Sequence, residues 1–175
     1  MEAMRKDIPL PSVYKKSGLT IQVINMLSKK AQYAIQALEY LANRYAAGPV
    51  LISEIAERKG IPLKFLENIL LELRNADILL SKKGKGGGYF LKTAPDQTTL
   101  ASVIRVIDGP IAMLPCVSLY FYRPCEVCDQ PNCRISSLFA EARDAVLGVL
   151  EKKTLQDLVA EERNGTRTNN VCAET

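Results

Sequence analysis

Two short apolar runs flank a segment of serine, lysine and glycine, and this pattern constrains the fold more than any other in the chain. The runs are Ile78-Leu79-Leu80 and Tyr89-Phe90-Leu91, and the segment between them ends in Gly84-Lys85-Gly86-Gly87-Gly88. Glycine adopts the positive φ angles that a tight hairpin tip requires. The pattern therefore predicts a β-hairpin with a flexible, basic tip.

Two helices are predicted immediately before this hairpin. Ser53 suits the N-cap of a short helix over residues 53–59, Gly60 suits its C-terminal end, and Pro62 fits the first turn of the next helix. The apolar spacing of this second helix gives a predicted buried face of Phe65, Leu66, Ile69, Leu70 and Leu73. A short helix, a glycine-containing turn and a longer helix are typical of a helix-turn-helix. With the hairpin after them, they predict a mainly α fold with a small β-hairpin wing.

Further amphipathic helices lie on both sides of this unit. One opens at Ser28 with apolar residues spaced three and four apart, and another begins after Thr99. A long helix is predicted over residues 134–152, and Thr154 begins a short closing helix. The apolar stripe of the long helix is wider than a single chain of 175 residues needs to bury.

Composition limits the class of protein. The formal net charge is +4, which is compatible with nucleic-acid binding but does not establish it. No apolar run approaches the ~18 residues of a membrane span, and no apolar signal core follows the N-terminus, so we expect a cytoplasmic protein without membrane partners. Its five cysteines are then expected to be thiols, metal ligands or redox groups. The chain contains no histidine, which removes the commonest general base and imidazole as a ligand.

The predicted wing and second helix carry the residue types that contact DNA. Lysine side chains can neutralise phosphates, and glycine allows close backbone approach, which points to Lys82, Lys83, Lys85, Gly86 and Gly87. The alternative is an ordinary turn with a solvated surface. A P-loop is rejected because glycine and a strand follow the Gly-Lys pair, where that motif needs Ser or Thr and a helix.

The outward polar residues of the second helix suit the reading of bases in the major groove. Asn68 could bond adenine, Lys64 could reach guanine or phosphate, and Glu67 could accept from cytosine. These pairings are hypotheses about contacts and do not define an operator sequence.

Several short motifs occur along the chain in a fixed order. They are Met26-Leu27-Ser28-Lys29-Lys30, Tyr33-Ala34, Gly48-Pro49-Val50, Ile55-Ala56-Glu57, Phe65-Leu66-Glu67-Asn68, Leu73-Arg74 and Gly84-Lys85-Gly86-Gly87-Gly88-Tyr89. Together they resemble the Rrf2 family of bacterial winged-helix regulators. The resemblance implies a homodimer that reads palindromic double-stranded DNA, with the long helix crossing to its partner. Family contacts fall on Lys64, Phe65, Glu67, Asn68 and Lys83. Pro62, where relatives often carry serine, and Lys83, where arginine is common, depart from the family pattern.

The predicted elements and the resemblance together divide the chain into five parts. Residues 1–25 would be an N-terminal extension, and residues 26–110 the winged helix-turn-helix DNA-binding domain. Residues 111–133 would be a cysteine-containing sensor loop. Residues 134–160 would hold the dimerisation helix and the closing helix, and residues 161–175 a disordered tail.

The loop contains Cys116, Cys125, Cys128 and Cys133, separated by gaps of eight, two and four residues. Four thiolates can hold an iron–sulphur cluster or zinc. Cluster-binding relatives have three cysteines in this loop, which Cys116, Cys133 and one of the other two resemble. A thiol–disulfide switch and no cofactor at all are the other readings. A dithiol enzyme is disfavoured because no βαβ unit is visible.

We therefore expect a sequence-specific DNA-binding transcription regulator, acting as a repressor, whose cysteine loop senses iron–sulphur, redox or nitric oxide status. The alternatives are a cofactor-free regulator that responds to a metabolite or protein partner, a dithiol redox protein, and an interaction protein that has lost DNA binding. We expect no enzymatic activity.

Overall fold

The computed structural model describes residues 27–125 and 133–163, and within these ranges it contains six α-helices and one two-stranded sheet. In chain order the elements are α1 (Lys29–Asn43), α2 (Ile52–Lys59), α3 (Leu63–Asn75), β1 (Leu79–Lys82), β2 (Gly88–Leu91), α4 (Leu100–Ile107), α5 (Arg134–Leu150) and α6 (Leu155–Arg163). The predicted extension of residues 1–25, Cys128 and residues 164–175 lie outside the described residues. None of the described helices is both long and apolar enough to cross a membrane.

One hydrophobic core joins α1, α3, the hairpin and α6. Four of the predicted inward residues of α3, namely Leu66, Ile69, Leu70 and Leu73, are fully buried. They belong to one cluster with the small inward residues of α1, such as Ala34, and with both strands. The 3.6-residue period of α3 thus places four large side chains on one continuous buried face.

Phe65 does not lie on that buried face, so this part of the prediction was wrong. It is 36% exposed, and its ring makes an edge-to-face contact with Tyr33, with the ring centroids 5.8 Å apart. At 100° per residue, Phe65 points about 90° away from the centre of the buried stripe. It therefore lies at the edge of the core, where one side of the ring contacts solvent.

The start of α2 also differs from the prediction. Ser53 is not its N-cap, because the helix begins at Ile52 and Leu51 occupies the cap position. The carbonyl of Leu51 accepts the backbone N–H groups of Glu54 and Ile55 at 3.1 and 3.2 Å. The glycine predicted at the other end of the helix is confirmed, since Gly60 has a φ of 64° and is the C-cap.

A residue outside the hairpin extends its hydrogen bonding. The two strands are antiparallel with Leu79 opposite Leu91 and Lys82 opposite Gly88. Val50, which precedes α2, then pairs with Tyr89 through two backbone hydrogen bonds of 2.9 Å each. The wing is therefore connected to the helix-turn-helix by backbone bonds as well as by the chain.

Ser28 connects the beginning of α1 to the end of α4. Its side chain accepts the N–H of Ala31, which confirms it as the N-cap. Its own N–H donates to an Asp108 carboxylate oxygen at 2.9 Å, and its hydroxyl donates to the other oxygen. The chain is thus fixed in place from the first turn of α1 onward.

The end of the described chain is more ordered than predicted. The closing helix α6 continues to Arg163, so the prediction of a disordered tail from residue 161 was wrong for its first three residues. The backbone N–H and the hydroxyl of Thr154 donate to Asp157, and these bonds hold the pKa of that carboxyl below its usual value. Leu155 N–H donates to the carbonyl of Thr98 at 3.0 Å, which joins α6 to the start of α4.

Candidate nucleic-acid interface

The first turns of α3 present the predicted reading residues to solvent. Lys64, Phe65 and Asn68 are exposed, and Glu67 is half-buried. Lys64 Nζ lies 3.0 Å from Glu67 Oε2, and 91% of the lysine side chain is exposed. A surface pair of this kind contributes about 0–1 kcal/mol. Both groups can therefore leave each other for a nucleic-acid partner at little cost.

The wing exposes three lysines that differ in their ion pairing from several other lysines of the domain. Lys82, Lys83 and Lys85 are exposed, as is Gly86. Within residues 27–125 and 133–163, none of these three lysines forms an ion pair. Lysines elsewhere in the domain do form such pairs, namely Lys30 with Glu72, Lys59 with Glu39 and Lys92 with Asp77. The wing tip therefore has an excess of positive charge, which suits phosphate contacts.

Gly87 is buried inside the wing. A Cβ at Gly87 would lie 2.3 Å from the carbonyl oxygen of Lys82 and 2.8 Å from that of Gly84. Its N–H donates to the Gly84 carbonyl at 2.9 Å, which closes the tip. Gly87 thus sets the shape of the tip, while Gly86 lies on its surface.

Val50 and Tyr33 are two residues of this interface that the sequence did not indicate. Val50 holds the wing, and Tyr33 supports the ring of Phe65. One paired residue after Pro49 gives no strand pattern, and Tyr33 lies about 120° around α1 from the middle of its buried stripe. The contacts between elements, which local patterns do not contain, define both roles.

Two of the four predicted thiol ligands line one cavity. Cys116 lies in a 3₁₀ turn, and Cys133 is the N-cap residue of α5. They line a cavity of about 380 Å³ together with Ser136, Ser137 and Arg143. The Arg143 guanidinium donates to the carbonyl of Val117 beside Cys116 and pairs with Asp144 at 2.7 Å.

Of the other two predicted thiol ligands, the structure describes only one. Cys125 is half-buried at the end of the first described range, and Cys128 lies outside both ranges. In the parts of the chain that the structure describes, three or more cysteines or carboxylates do not come together as a metal-binding group. Iron–sulphur clusters and structural zinc sites commonly take four cysteine or histidine ligands, and the two thiols of the cavity are half of such a set.

Known proteins are similar to this chain in sequence. The Rrf2 family, described as an iron-dependent transcriptional regulator, matches residues 27–161. An Rrf2-like HTH-type transcriptional regulator of Rhodobacter capsulatus is 43% identical over 139 residues, which cover 77% of this chain and 93% of that protein. The HTH-type transcriptional regulator CymR of Bacillus subtilis is 33% identical over 77% of this chain and 89% of that protein.

Solved structures agree with the sequence matches. The structure of CymR, the global cysteine regulator of B. subtilis, has a TM-score of 0.65 and covers 77% of this chain and 95% of that one. The structure of T. potens IscR is 25% identical with a TM-score of 0.64, covering 82% of this chain and 93% of that one. The predicted winged-helix fold is confirmed, and this chain belongs to the Rrf2 family of DNA-binding transcriptional regulators.

Proposed function

We propose that two copies of the chain form a regulator that reads a palindromic operator with α3 and the wing. The observation that carries this proposal is the excess of positive charge at the wing tip. Lys82, Lys83 and Lys85 are exposed without ion pairs among the described residues, while Lys30, Lys59 and Lys92 of the same domain are paired. On this proposal, the wing lysines neutralise phosphates and Gly86 allows the backbone to approach.

The N-terminal half of α3 would enter the major groove. Asn68 would bond an adenine edge, Lys64 would contact guanine or phosphate, and Glu67 would accept from cytosine. Phe65, which is exposed and supported by Tyr33, would make an apolar contact beside them. Gly87 would take part by shaping the tip, since it is buried.

Two alanine substitutions separate phosphate contacts from base contacts. Lys83→Ala is expected to weaken binding to all sequences alike and to reduce the salt slope of the affinity by about one unit. Asn68→Ala is expected to cost about 1–3 kcal/mol and to relax preference at one base pair. Fluorescence anisotropy with operator and scrambled DNA over a salt series measures both effects.

The matched control is Lys92→Ala, because Lys92 is also exposed but pairs with Asp77. Its salt slope is expected to stay unchanged. If Lys83→Ala leaves the salt slope of the affinity unchanged, Lys83 does not contact DNA. If Asn68→Ala lowers the affinity equally for every DNA sequence, Asn68 does not read a base.

The exposed face of α5 supports a homodimer. Of its seventeen residues only Leu147 is buried in the single chain. Ile135, Leu138 and Val149 are 60%, 63% and 59% exposed, and they lie on one side of the helix. Contiguous apolar surface of this kind marks a site of protein association. A second copy of α5 would cover it, as the resemblance to the family implies.

A charge on that face is expected to separate the two copies. Leu138→Glu would bury a carboxylate in the interface and should shift the protein to monomer, raising the dissociation constant at least a hundredfold. Sedimentation equilibrium measures the change. Gly148→Glu is the matched control. A side chain there meets open space and points about 80° away from Leu138 around the axis of α5. A dimer unaffected by Leu138→Glu would place the interface elsewhere.

The cysteine loop would hold an iron–sulphur cluster. Cys116 and Cys133, which line one cavity, would supply two ligands, and Cys125 or Cys128 a third. The family's description as iron-dependent and the likeness to IscR support this assignment over zinc or a metal-free thiol switch. When bound, a cluster supplies a redox-sensitive group that could favour one arrangement of the DNA-binding heads.

Anaerobic purification tests the cluster directly. The protein is expected to be coloured and to contain iron and acid-labile sulphide, and Cys116→Ser should remove both. Cys172→Ser, a change in the C-terminal tail, is the control and should leave both unchanged. An iron-free protein that binds its own promoter with full affinity would contradict the cluster, and bound zinc would favour the alternative ligand.

A further inference from the structure

We propose that the apolar segment Leu19-Thr20-Ile21-Gln22-Val23-Ile24 of this same chain occupies a cavity between α4 and α5. The cavity has a volume of about 410 Å³, which falls in the range of roughly 300–1,000 Å³ typical of ligand pockets. Its apolar lining consists of Ile104, Pro110, Ile111, Ala112, Met113 and Val146. The family match begins at residue 27, so this segment is additional to the part of the chain that the family shares.

The described chain begins beside this cavity. Ser28 N–H donates to Asp108 at 2.9 Å, and Asp108 is one of the two polar residues that line the cavity. The carbonyl of Leu27 accepts from Gln32 at 3.1 Å, so the backbone is held up to that residue. Only two residues separate Leu27 from Ile24, a reach of about 10 Å. The tether is thus short enough to keep the segment close to the cavity mouth.

The sequence of the segment fits an apolar cavity. Leu19, Ile21 and Val23 alternate with Thr20 and Gln22. In an extended conformation this alternation places Leu19, Ile21 and Val23 on one face, and Thr20, Gln22 and Ile24 on the other. The β-branched residues favour an extended conformation over a helix. One face of the segment can therefore enter the cavity while the polar side chains remain in water.

The lining explains what a bound segment would contact. Ile104 belongs to α4, Val146 belongs to α5, and Met113 lies in the loop between them. Met113 is 45% exposed in the described part of the chain. A segment bound there would bury this methionine. It would also join α4, which packs in the DNA-binding head, to α5, whose apolar face is exposed in the single chain.

Hydrogen–deuterium exchange of the full chain tests the proposal. Backbone amides of residues 19–24 are expected to exchange at least tenfold more slowly than in an unfolded chain. Met113→Asp places a charge at the cavity mouth and should abolish this protection, whereas Met113→Leu should retain it. Ala47→Asp, at an exposed position outside the cavity, is the matched control and should also retain it.

Three results would overturn the proposal. Exchange at the unfolded rate in the unaltered chain would show that the segment does not dock. Protection that survives both Met113→Asp and Ala112→Asp would place the segment elsewhere, provided that slow exchange in α1 and α3 shows both variants to be folded. Protection that is lost on dilution, with α1 and α3 still slow, would assign the cavity to a second copy of the chain.

Discussion

Gly88→Ala is expected to lower the free energy of unfolding by about 2–4 kcal/mol and to weaken DNA binding at least tenfold. Gly88 has a φ of 149°, and a Cβ there would lie 2.2 Å from the carbonyl oxygen of Val50. An alanine must therefore displace Val50 and its two hydrogen bonds to Tyr89. Backbone strain of this kind costs about 1–3 kcal/mol, and each lost hydrogen bond about 0.5–1.5 kcal/mol. Urea unfolding and operator binding measure the two effects.

Gly86→Ala separates the clash from the effect of backbone conformation. Gly86 also has a positive φ, 75°, but a side chain there meets nothing within 4 Å. This variant is expected to lower the free energy of unfolding by only about 1–2 kcal/mol, which is the cost of a left-handed conformation for alanine. If Gly88→Ala and Gly86→Ala lose equal stability, then the contact with Val50 does not hold the wing in place.

Leu70→Ala is expected to destabilise the protein by about 3–5 kcal/mol. Leu70 is fully buried in the core that α3 shares with α1 and the hairpin. Truncation removes transfer free energy and leaves a cavity that the surrounding helices fill only in part. Because small domains are stable by about 5–15 kcal/mol in total, the variant should unfold at a clearly lower urea concentration.

The neighbouring leucine provides the control. Leu71 has the same side chain and lies one residue further along α3, but it is 41% exposed. Leu71→Ala is expected to change the free energy of unfolding by less than about 1 kcal/mol. Comparable losses for the two variants would contradict the orientation of α3, and with it the set of residues that α3 presents to DNA.

Elements with a strong local signal could be predicted from the sequence. Four residues of α3 repeat at helical spacing and are all buried, and Thr99 caps α4 by accepting the N–H of Ser102 at 3.2 Å. The hairpin followed from its two apolar runs, and Gly60 ends α2 in the left-handed conformation that favours glycine. In each case residues close to one another in the sequence are sufficient to predict the element.

The predictions from sequence were wrong where packing between elements outweighs a local preference. Ser53 is a good N-cap residue, but the N-cap of α2 lies two residues earlier, at Leu51, whose backbone is extended and whose carbonyl is bonded to the helix. Phe65 is apolar and adjacent to a buried stripe, yet its direction from the axis leaves it at the edge, against Tyr33. Apolarity alone does not distinguish the edge of a core from its centre.

The candidate site was predictable in its residue types and less so in their roles. The wing lysines and the outward residues of α3 are exposed as their positions indicate, whereas Gly87 is buried. Glycine in a basic tip suggests close approach to DNA, but the same residue is also required where two backbone segments converge. Only the 2.3 Å approach of a Cβ at Gly87 to Lys82 distinguishes these roles.

The backbone pairing of Val50 with Tyr89 has a consequence for how a signal could reach DNA. It bonds the wing to the segment that precedes α2, so on the proposed function each DNA-binding head would read its half-site as one rigid unit. In the proposed dimer, a change in the cysteine loop can then act only on the separation and angle of the two heads. Half-sites of helix-turn-helix dimers lie one helical turn of DNA, about 34–36 Å, or a multiple of it apart. The two states of the regulator would therefore prefer operators that differ in spacer length but share the same half-site sequence.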